Sequence, residues 1–310
     1  MVLVLLIFAA ALFIDGATDC ANSVTGAVSS KTLSVRSAAL LSAVLSFAGC
    51  ALFCVFLPTV AENSAAADFP SAYSQAGVLS ILISVALWSG LAWVLSLPTS
   101  EGHGLIAAAA GSAAALGGRV IYQKLWRVIL WMVPSALVGA LISVLFVKIL
   151  KNAGEARLKA PIILSCALSS VFHGAQDGQK FLALAISSSL VGGEGKWKTA
   201  LLFAFFMGVG TLFGERIIRK MGGEMAVADK RAALSCDIGS ALSLCILTVV
   251  GIPASTTHIR MTSLVAATRA SGGKTDPSAF LLLLCAWVST FPVCFALGFF
   301  ISKLILVILL

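Results

Sequence analysis

Residues 128–147 read VILWMVPSALVGALISVLFV, twenty consecutive positions without a charged side chain. A helix needs about 20 such residues to cross the hydrocarbon core of a bilayer. Four further runs of at least that length carry no charge: Ser37 to Ala61, Phe69 to Ser100, Ile238 to Ile259 and Pro277 to Ser302. Over all 310 residues, 59% are apolar and 11% charged, and the mean hydropathy is +1.04; an ordinary soluble domain carries roughly 25% charged residues. The runs lack the alternation of a membrane barrel strand, and outside a barrel only helices satisfy their own backbone groups in lipid. The chain therefore reads as all-α and polytopic, a multi-pass protein of the cell membrane, and soluble-enzyme readings are excluded.

The net charge of +8 sits mostly in short basic clusters between the apolar runs. Positive-inside topology accounts for that pattern, so the partner it implies is the lipid bilayer and not nucleic acid. The eight cysteines form no C-x-x-C pair and lie in or beside apolar segments, where they read as small apolar core residues, neither disulfide-bonded nor metal-binding. Met1 to Ile14 has the hydrophobicity of a signal peptide, but it lacks a basic start and meets Asp15 where a small-residue cleavage site belongs. It reads as the first half of a membrane helix.

The chain repeats itself. Asp15-Gly16-Ala17-Thr18-Asp19 returns as His173-Gly174-Ala175-Gln176-Asp177, 158 positions later. Pro98-Thr99-Ser100-Glu101-Gly102-His103 returns as Pro253 followed by Ala254-Ser255-Thr256-Thr257-His258, 155 positions later, and Pro134 pairs with Pro292. The expected organisation is a first repeat over 1–150, a cytoplasmic junction over 151–159 and a second repeat over 160–310.

Loop charges orient it. The 58–75 stretch has Glu62 and Asp68 but no Lys or Arg, which places it outside; the junction and the 216–231 stretch are basic, which places them in the cytoplasm. The expected spans are 2–30 (broken), 35–57, 76–98, 103–118 and 127–148, then 160–192 (broken), 199–218, 233–252, 256–269 and 279–302. Five crossings per half invert the second repeat relative to the first. The cost of this count is one violation, because it puts the 119–127 loop outside with Arg119, Lys124 and Arg127. Inverted repeats with broken or short helices at the midplane are a secondary-transporter architecture.

Asp15, Asp19 and Asp177 stand beside Gly-Ala pairs in apolar segments, where an ionised carboxylate costs about 2.5–3.5 kcal/mol on insertion scales. Asp19 with Asn22, and Asp177 with Gln176 and Gln179, offer the oxygen ligands a hard cation needs; helix caps and interfacial loops use the same residue types. The run Ser255-Thr256-Thr257 follows Pro253 at a helix start, where hydroxyls and free N–H groups meet the positive end of the helix dipole. That is an anion site or an ordinary N-cap, and its recurrence as Thr99-Ser100 favours a facing pair of anion-binding helix starts. His103, His173 and His258, all the histidines of the chain, fall in these motifs as supports or ligands. Lys180 attracts an anion, neutralises Asp177 or snorkels to the interface. Arg216 and Asp237 near cytoplasmic helix ends are gating ion-pair residues or plain solvated charges. No H-E-x-x-H or other metal spacing supports an intramembrane enzyme.

These motifs resemble those of the inorganic phosphate transporter (PiT) family, which has two inverted repeats, each with a G-A-N-D and a P-x-S-T-T-H motif. Gly16-Ala17-Thr18-Asp19-Cys20-Ala21-Asn22 and His173-Gly174-Ala175-Gln176-Asp177-Gly178-Gln179-Lys180 are similar to the first. Gly251 to His258 matches the second almost completely, and Gly210-Thr211-Leu212-Phe213-Gly214-Glu215-Arg216-Ile217-Ile218 is similar to a further family run. The resemblance implies cation-coupled uptake of inorganic phosphate by alternating access. Thr99, Ser100, Ser255, Thr256 and Thr257 would hold phosphate. Asp19, Asn22, Thr18, Asp177 and Gln176 would form the cation site, with sodium at Asp19, Asn22 and Asp177, or a proton in its place, as the coupling ion and no other cofactor. Glu101, His103, His173, Gln179, Lys180, Arg216, Asp237 and His258 would support or gate. Thr18 and Gln176 replace the motif asparagines, Glu101 and Gly102 replace two threonines, and Ser46 replaces an acid that Asp237 keeps in the second half. An ionised Glu101 would repel phosphate; a protonated one would link transport to protons. Sulfate or another tetrahedral oxyanion is the rival substrate, and a non-transporting anion sensor the rival role. The large apolar faces suit a homodimer.

Overall fold

The computed structural model describes residues 2–95, 99–187, 196–223 and 229–309. Pro98 and residues 188–192 of the expected second broken span lie outside them. The chain opens with α1 (Val2–Asp19) and α2 (Ala21–Ser29), separated by a turn at Cys20, so the first expected span is broken where the acidic motif stands. Then come α3 (Val35–Phe56), a short α4 (Thr59–Ser64), β1 (Ala67–Asp68), α5 (Ser74–Leu95), α6 (Glu101–Ala115), β2 (Arg119–Val120) and α7 (Tyr122–Ile149). After the junction follow α8 (Lys159–Ser187), α9 (Lys196–Thr211), α10 (Glu215–Gly223), α11 (Lys230–Val250), α12 (Thr256–Ala270) and α13 (Pro277–Leu309). Among the described residues, seven helical stretches are long and apolar enough to cross a membrane, and the chain is a multi-pass membrane protein.

Two expectations change. The segment from 160 is not broken: α8 runs without interruption from Lys159 to Ser187. Its glycines are used for close approach and not for unwinding. A Cβ on Gly174 would stand 2.7 Å from the Cα of Ser46 in α3, and one on Gly178 would stand 3.0 Å from the Cβ of Cys50. Conversely, the single span expected over 199–218 ends at Thr211 and restarts at Glu215, because the chain turns through Gly214, where a Cβ would meet the carbonyl of Ala17 at 2.8 Å.

Helix crossings are reciprocal. Gly16 of α1 lies on α9, where an added Cβ would come 2.9 Å from the nitrogen of Thr211. Gly210 of α9 lies on α1, where it would come 2.9 Å from the Cα of Phe13. Gly49 of α3 and Gly174 of α8 face each other's backbones in the same way. Small residues at both sides of a crossing let backbones approach in lipid, where packing and not water exclusion drives association. The pattern of partners is also reciprocal: α1 packs on α9 and α8 on α3, while α6 packs on α13 and α12 on α7.

The short segments return as hairpins. β1 pairs with β2, Ala67 opposite Val120 and Asp68 opposite Arg119, so the start of α5 and the end of α6 lie on one face. Lys124 Nζ donates to the carbonyl of Glu62 (2.7 Å) and Arg127 to Asn63 Oδ1 (3.3 Å), which docks the basic 119–127 loop on the acidic 58–75 loop. On the opposite face, about 42 Å away along the 28 residues of α7 at 1.5 Å per residue, the ends of α7 and α12 and the start of α11 surround one cleft. Arg231 there donates to the carbonyl of Lys151 (2.7 Å). Thus α5–α6 enters from one face and α11–α12 from the other. A hairpin and two crossings both return the chain to the side it left.

All eight cysteines are free; six are buried as expected, but Cys285 is exposed on the apolar outer surface of α13 and is not a core residue. In sealed vesicles, an impermeant thiol reagent is expected to label Asp68→Cys and Gln123→Cys from one side and Lys151→Cys and Lys274→Cys only from the other. Gly174→Leu should wedge α3 from α8 and, at the about 1–3 kcal/mol typical of overpacking, lower the detergent melting temperature by several degrees.

Candidate functional site

The tips of the two hairpins touch. At the start of α12, Thr257 Oγ1 donates to the carbonyl of Thr99 at the start of α6, 2.8 Å away. The acidic motifs flank this contact. Thr256 Oγ1 lies 3.2 Å from Asp19 Oδ2 and 3.4 Å from Asp177 Oδ2, and Asn22 Nδ2 donates to Thr257 Oγ1 at 2.8 Å. Thr257 Oγ1 is 3.5 Å from Asp19, but a hydroxyl has one proton, and the shorter contact to Thr99 takes it. Asp19, Asn22, Asp177, Thr99, Ser100, Ser255, Thr256 and Thr257 are all buried.

The two aspartates differ in their surroundings. Asp177 is fully engaged: Lys180 Nζ is 2.7 Å from Oδ1, and His173 Nδ1 is 3.0 Å from Oδ2. Lys180 also donates to the carbonyl of Ala254 at 2.7 Å. Asp19 has the Thr256 hydroxyl on Oδ2, and among the described residues its Oδ1 and the Oδ1 of Asn22 meet no donor. Those two oxygens suit a cation.

The hydroxyls divide too. Ser255 Oγ accepts the N–H of His258 (3.2 Å), so it caps α12 as an N-cap serine does. Ser100 precedes α6 without a side-chain cap bond. The first turns of α6 and α12 therefore point free N–H groups at the junction of the tips. Glu101 is turned into the protein, hydrogen-bonded by Thr18. The carboxyl of Asp15 faces that of Glu101, and among the described residues no other group hydrogen-bonds it. The rings of His103 and His258 lie with centroids 5.1 Å apart and planes tilted by 60°, and beyond them lie Trp287, 4.0 Å from His258, and Phe291, 5.4 Å from His103. They pack the tips from behind.

The remaining expected residues stand outside this cluster. Gln176 braces the approach to α12, donating to Thr248 Oγ1 (3.0 Å) and the carbonyl of Ile252 (3.3 Å) and accepting from Ala254 N (3.3 Å). Gln179 caps α4 from another helix, its Oε1 accepting the N–H groups of Val60 (2.9 Å) and Ala61 (3.3 Å). Arg216 is exposed at the start of α10. Asp237, expected at a helix end, is buried within α11 and paired with Arg260 of α12 at 2.5 Å. Ser46 is not its counterpart: it lies in α3 and bonds the carbonyl of Ser170 in α8. Arg260 was not anticipated from the sequence. The signal was present, since a guanidinium within the segment 256–269 needs a buried acid as partner.

The profile of the phosphate transporter family matches residues 15–162 and, a second time, residues 151–298. The chain belongs to the phosphate transporter family. Like the rest of this family it is a transporter and not an enzyme. It is similar to a probable low-affinity inorganic phosphate transporter of Bacillus subtilis, 27% identical over 325 residues that cover 96% of each chain. It is also similar to one of Rhizobium meliloti, 27% identical over 303 residues that cover 90% of this chain and 89% of the relative. Its fold is that of a solved structure described as the sodium-dependent phosphate transporter, with a TM-score of 0.89 at 18% identity over 99% of both chains. In this phosphate transporter Asp19 with Asn22, Asp177 with His173 and Lys180, and Thr99 with Thr256 and Thr257 across the tips thus meet at one buried place.

The Asp237–Arg260 pair makes a separate prediction. Removing one partner of a buried pair costs about 3–5 kcal/mol, whereas replacing both with apolar groups is often neutral. Asp237→Asn should therefore lower the melting temperature sharply and Asp237→Leu with Arg260→Met should restore most of it, read by scanning fluorimetry in detergent.

Proposed function

We propose that this chain imports inorganic phosphate together with a sodium ion or proton, and that two inverted halves, 1–150 and 160–310 joined by a cytoplasmic junction, alternate in opening to the two sides of the membrane. The observation that carries the reading is the meeting of two hairpin tips, from opposite faces, at buried hydroxyls set between two aspartates. An oxyanion at that point receives the free N–H groups at the starts of α6 and α12 and the positive ends of both helix dipoles. The hydroxyls of Thr256 and Thr257 are within reach, and Asp19 and Asn22 keep oxygens for the accompanying cation. The names of the relatives agree with phosphate as substrate, and that of the fold relative agrees with sodium. The reciprocal packing of α1 on α9 and α8 on α3, and of α6 on α13 and α12 on α7, supports an inverted duplication with a rocking axis through the tips.

The test is uptake of labelled phosphate into proteoliposomes under an imposed sodium or proton gradient, with unlabelled sulfate as competitor. Accumulation above the internal concentration, resistant to sulfate, is expected. Uptake abolished by low sulfate would reassign the substrate, and binding without accumulation would make the protein a sensor. Asp19→Asn should raise the cation concentration needed for half-maximal uptake. Thr257→Val should raise the apparent KM for phosphate about tenfold or more, since a hydrogen bond to a charged group is worth about 1.5–3 kcal/mol.

A further inference from the structure

We infer that Lys180 is a built-in cation: its ammonium occupies the place at Asp177 that a transported cation would take, so the chain carries one mobile cation fewer per phosphate than two open acidic motifs would. The inference rests on the transport reading above and refines its ion coupling.

The argument begins with matched positions. With the 158-residue offset that aligns Asp19 with Asp177, Asn22 aligns with Lys180. Three residues after its aspartate, the first half thus places a neutral amide and the second a lysine. The structure shows the consequence. Asn22 turns its amide nitrogen to Thr257, and its oxygen meets no donor among the described residues. Lys180 instead puts Nζ 2.7 Å from Asp177 Oδ1 and 2.7 Å from the Ala254 carbonyl, a carboxylate and a main-chain oxygen of the kind a hard cation collects. His173 and Thr256 approach the other carboxylate oxygen. Asp177 is left with no unshared face, while Asp19 keeps Oδ1.

A second observation makes this position of Lys180 a fitted one. Gly102, in the first turn of α6, leaves the space that the lysine head fills: a Cβ there would lie 2.6 Å from Nζ and 2.8 Å from Cε. At the matching point of the other hairpin stands Thr257, whose side chain bridges to the opposite tip. Glycine at 102 and lysine at 180 are therefore complementary, one supplying room and the other a charge fixed between the tips. Both residues are buried, so the ammonium is held in place and does not reach the interface.

The test counts cations. Under whichever gradient drives uptake by the wild type, the cation-to-phosphate ratio is measured from the phosphate accumulation reached at balance, for the wild type and for Lys180→Asn, which restores the first half's residue. The expected result is a ratio one higher in Lys180→Asn, with a Hill coefficient for the driving cation raised toward two. An unchanged ratio with only a higher KM for phosphate would overturn the inference and make Lys180 a phosphate ligand. Gly102→Ala, which displaces the ammonium without removing it, should move the Hill coefficient in the same direction, and no change in it counts against the inference. Binding of radioactive sodium to purified protein in detergent gives a readout independent of transport. Wild type should bind at one class of site, lost in Asp19→Asn and retained in Asp177→Asn; loss in both would overturn the inference. If wild type accumulates phosphate under neither gradient, the transport reading fails, and the sodium binding still decides the role of Lys180.

Discussion

Carboxyl groups in the middle of an apolar bundle constrain everything around them. Asp15, Asp19, Glu101, Asp177 and Asp237 are all buried, and lipid offers none of them a partner. The protein supplies partners to Asp19 and Asp177 by bringing two helix starts to the same depth, so that Thr256 stands between them and Thr257 reaches the carbonyl of Thr99. At the turn of Cys20 α1 ends and α2 begins, and Asn22, three positions after Asp19, donates to the same Thr257 that stands beside that aspartate.

Meeting at one depth requires tight crossings. The α1–α9 and α3–α8 contacts are each made by a glycine from both partners, and each glycine lies on the other helix's backbone. One glycine of each crossing stands within an acidic motif: Gly16 precedes Asp19 by three positions, as Gly174 precedes Asp177. The same short motif therefore fixes the distance between helices and delivers the carboxylate to their crossing. This is why α8 stays continuous although two glycines interrupt its apolar pattern. Their missing side chains admit α3, and the backbone has no need to unwind.

The pseudo-symmetry of the packing is not matched in the chemistry. One acidic motif is open and the other is closed by Lys180 and His173. One hairpin tip presents threonine hydroxyls, while the other presents a glutamate turned toward Thr18 and a glycine filled by a lysine. Much of the site was legible because polar residues in apolar surroundings announce themselves: Asp19, Asn22, Asp177 and the Ser255 to Thr257 run all come together. Gln176 and Gln179 carried the same signal but are used as struts. An amide's chemistry does not say whether it faces a ligand or a helix end, and only the neighbouring N–H groups of Val60, Ala61 and Ala254 decide it. That Arg260 needs a buried acid was legible, but which acid was not, because its partner is 23 positions away in a different helix.

By itself the sequence determined that the chain crosses a membrane as helices, since charge-free runs of this length have no other stable state, and that its motifs occur twice, since similarity along a chain needs no structure to be seen. It also determined which groups would be costly to bury. Tertiary structure alone decided which of those groups meet, that the short segments turn back as hairpins, that the basic 119–127 loop docks on the 58–75 loop, and that Asp177 and Asp19 hold different company. Hydropathy reports how favourably a segment enters lipid, but not where along its length it meets another; that is set by backbone-to-backbone contacts at particular glycines and by which donor lies within about 3 Å of which acceptor.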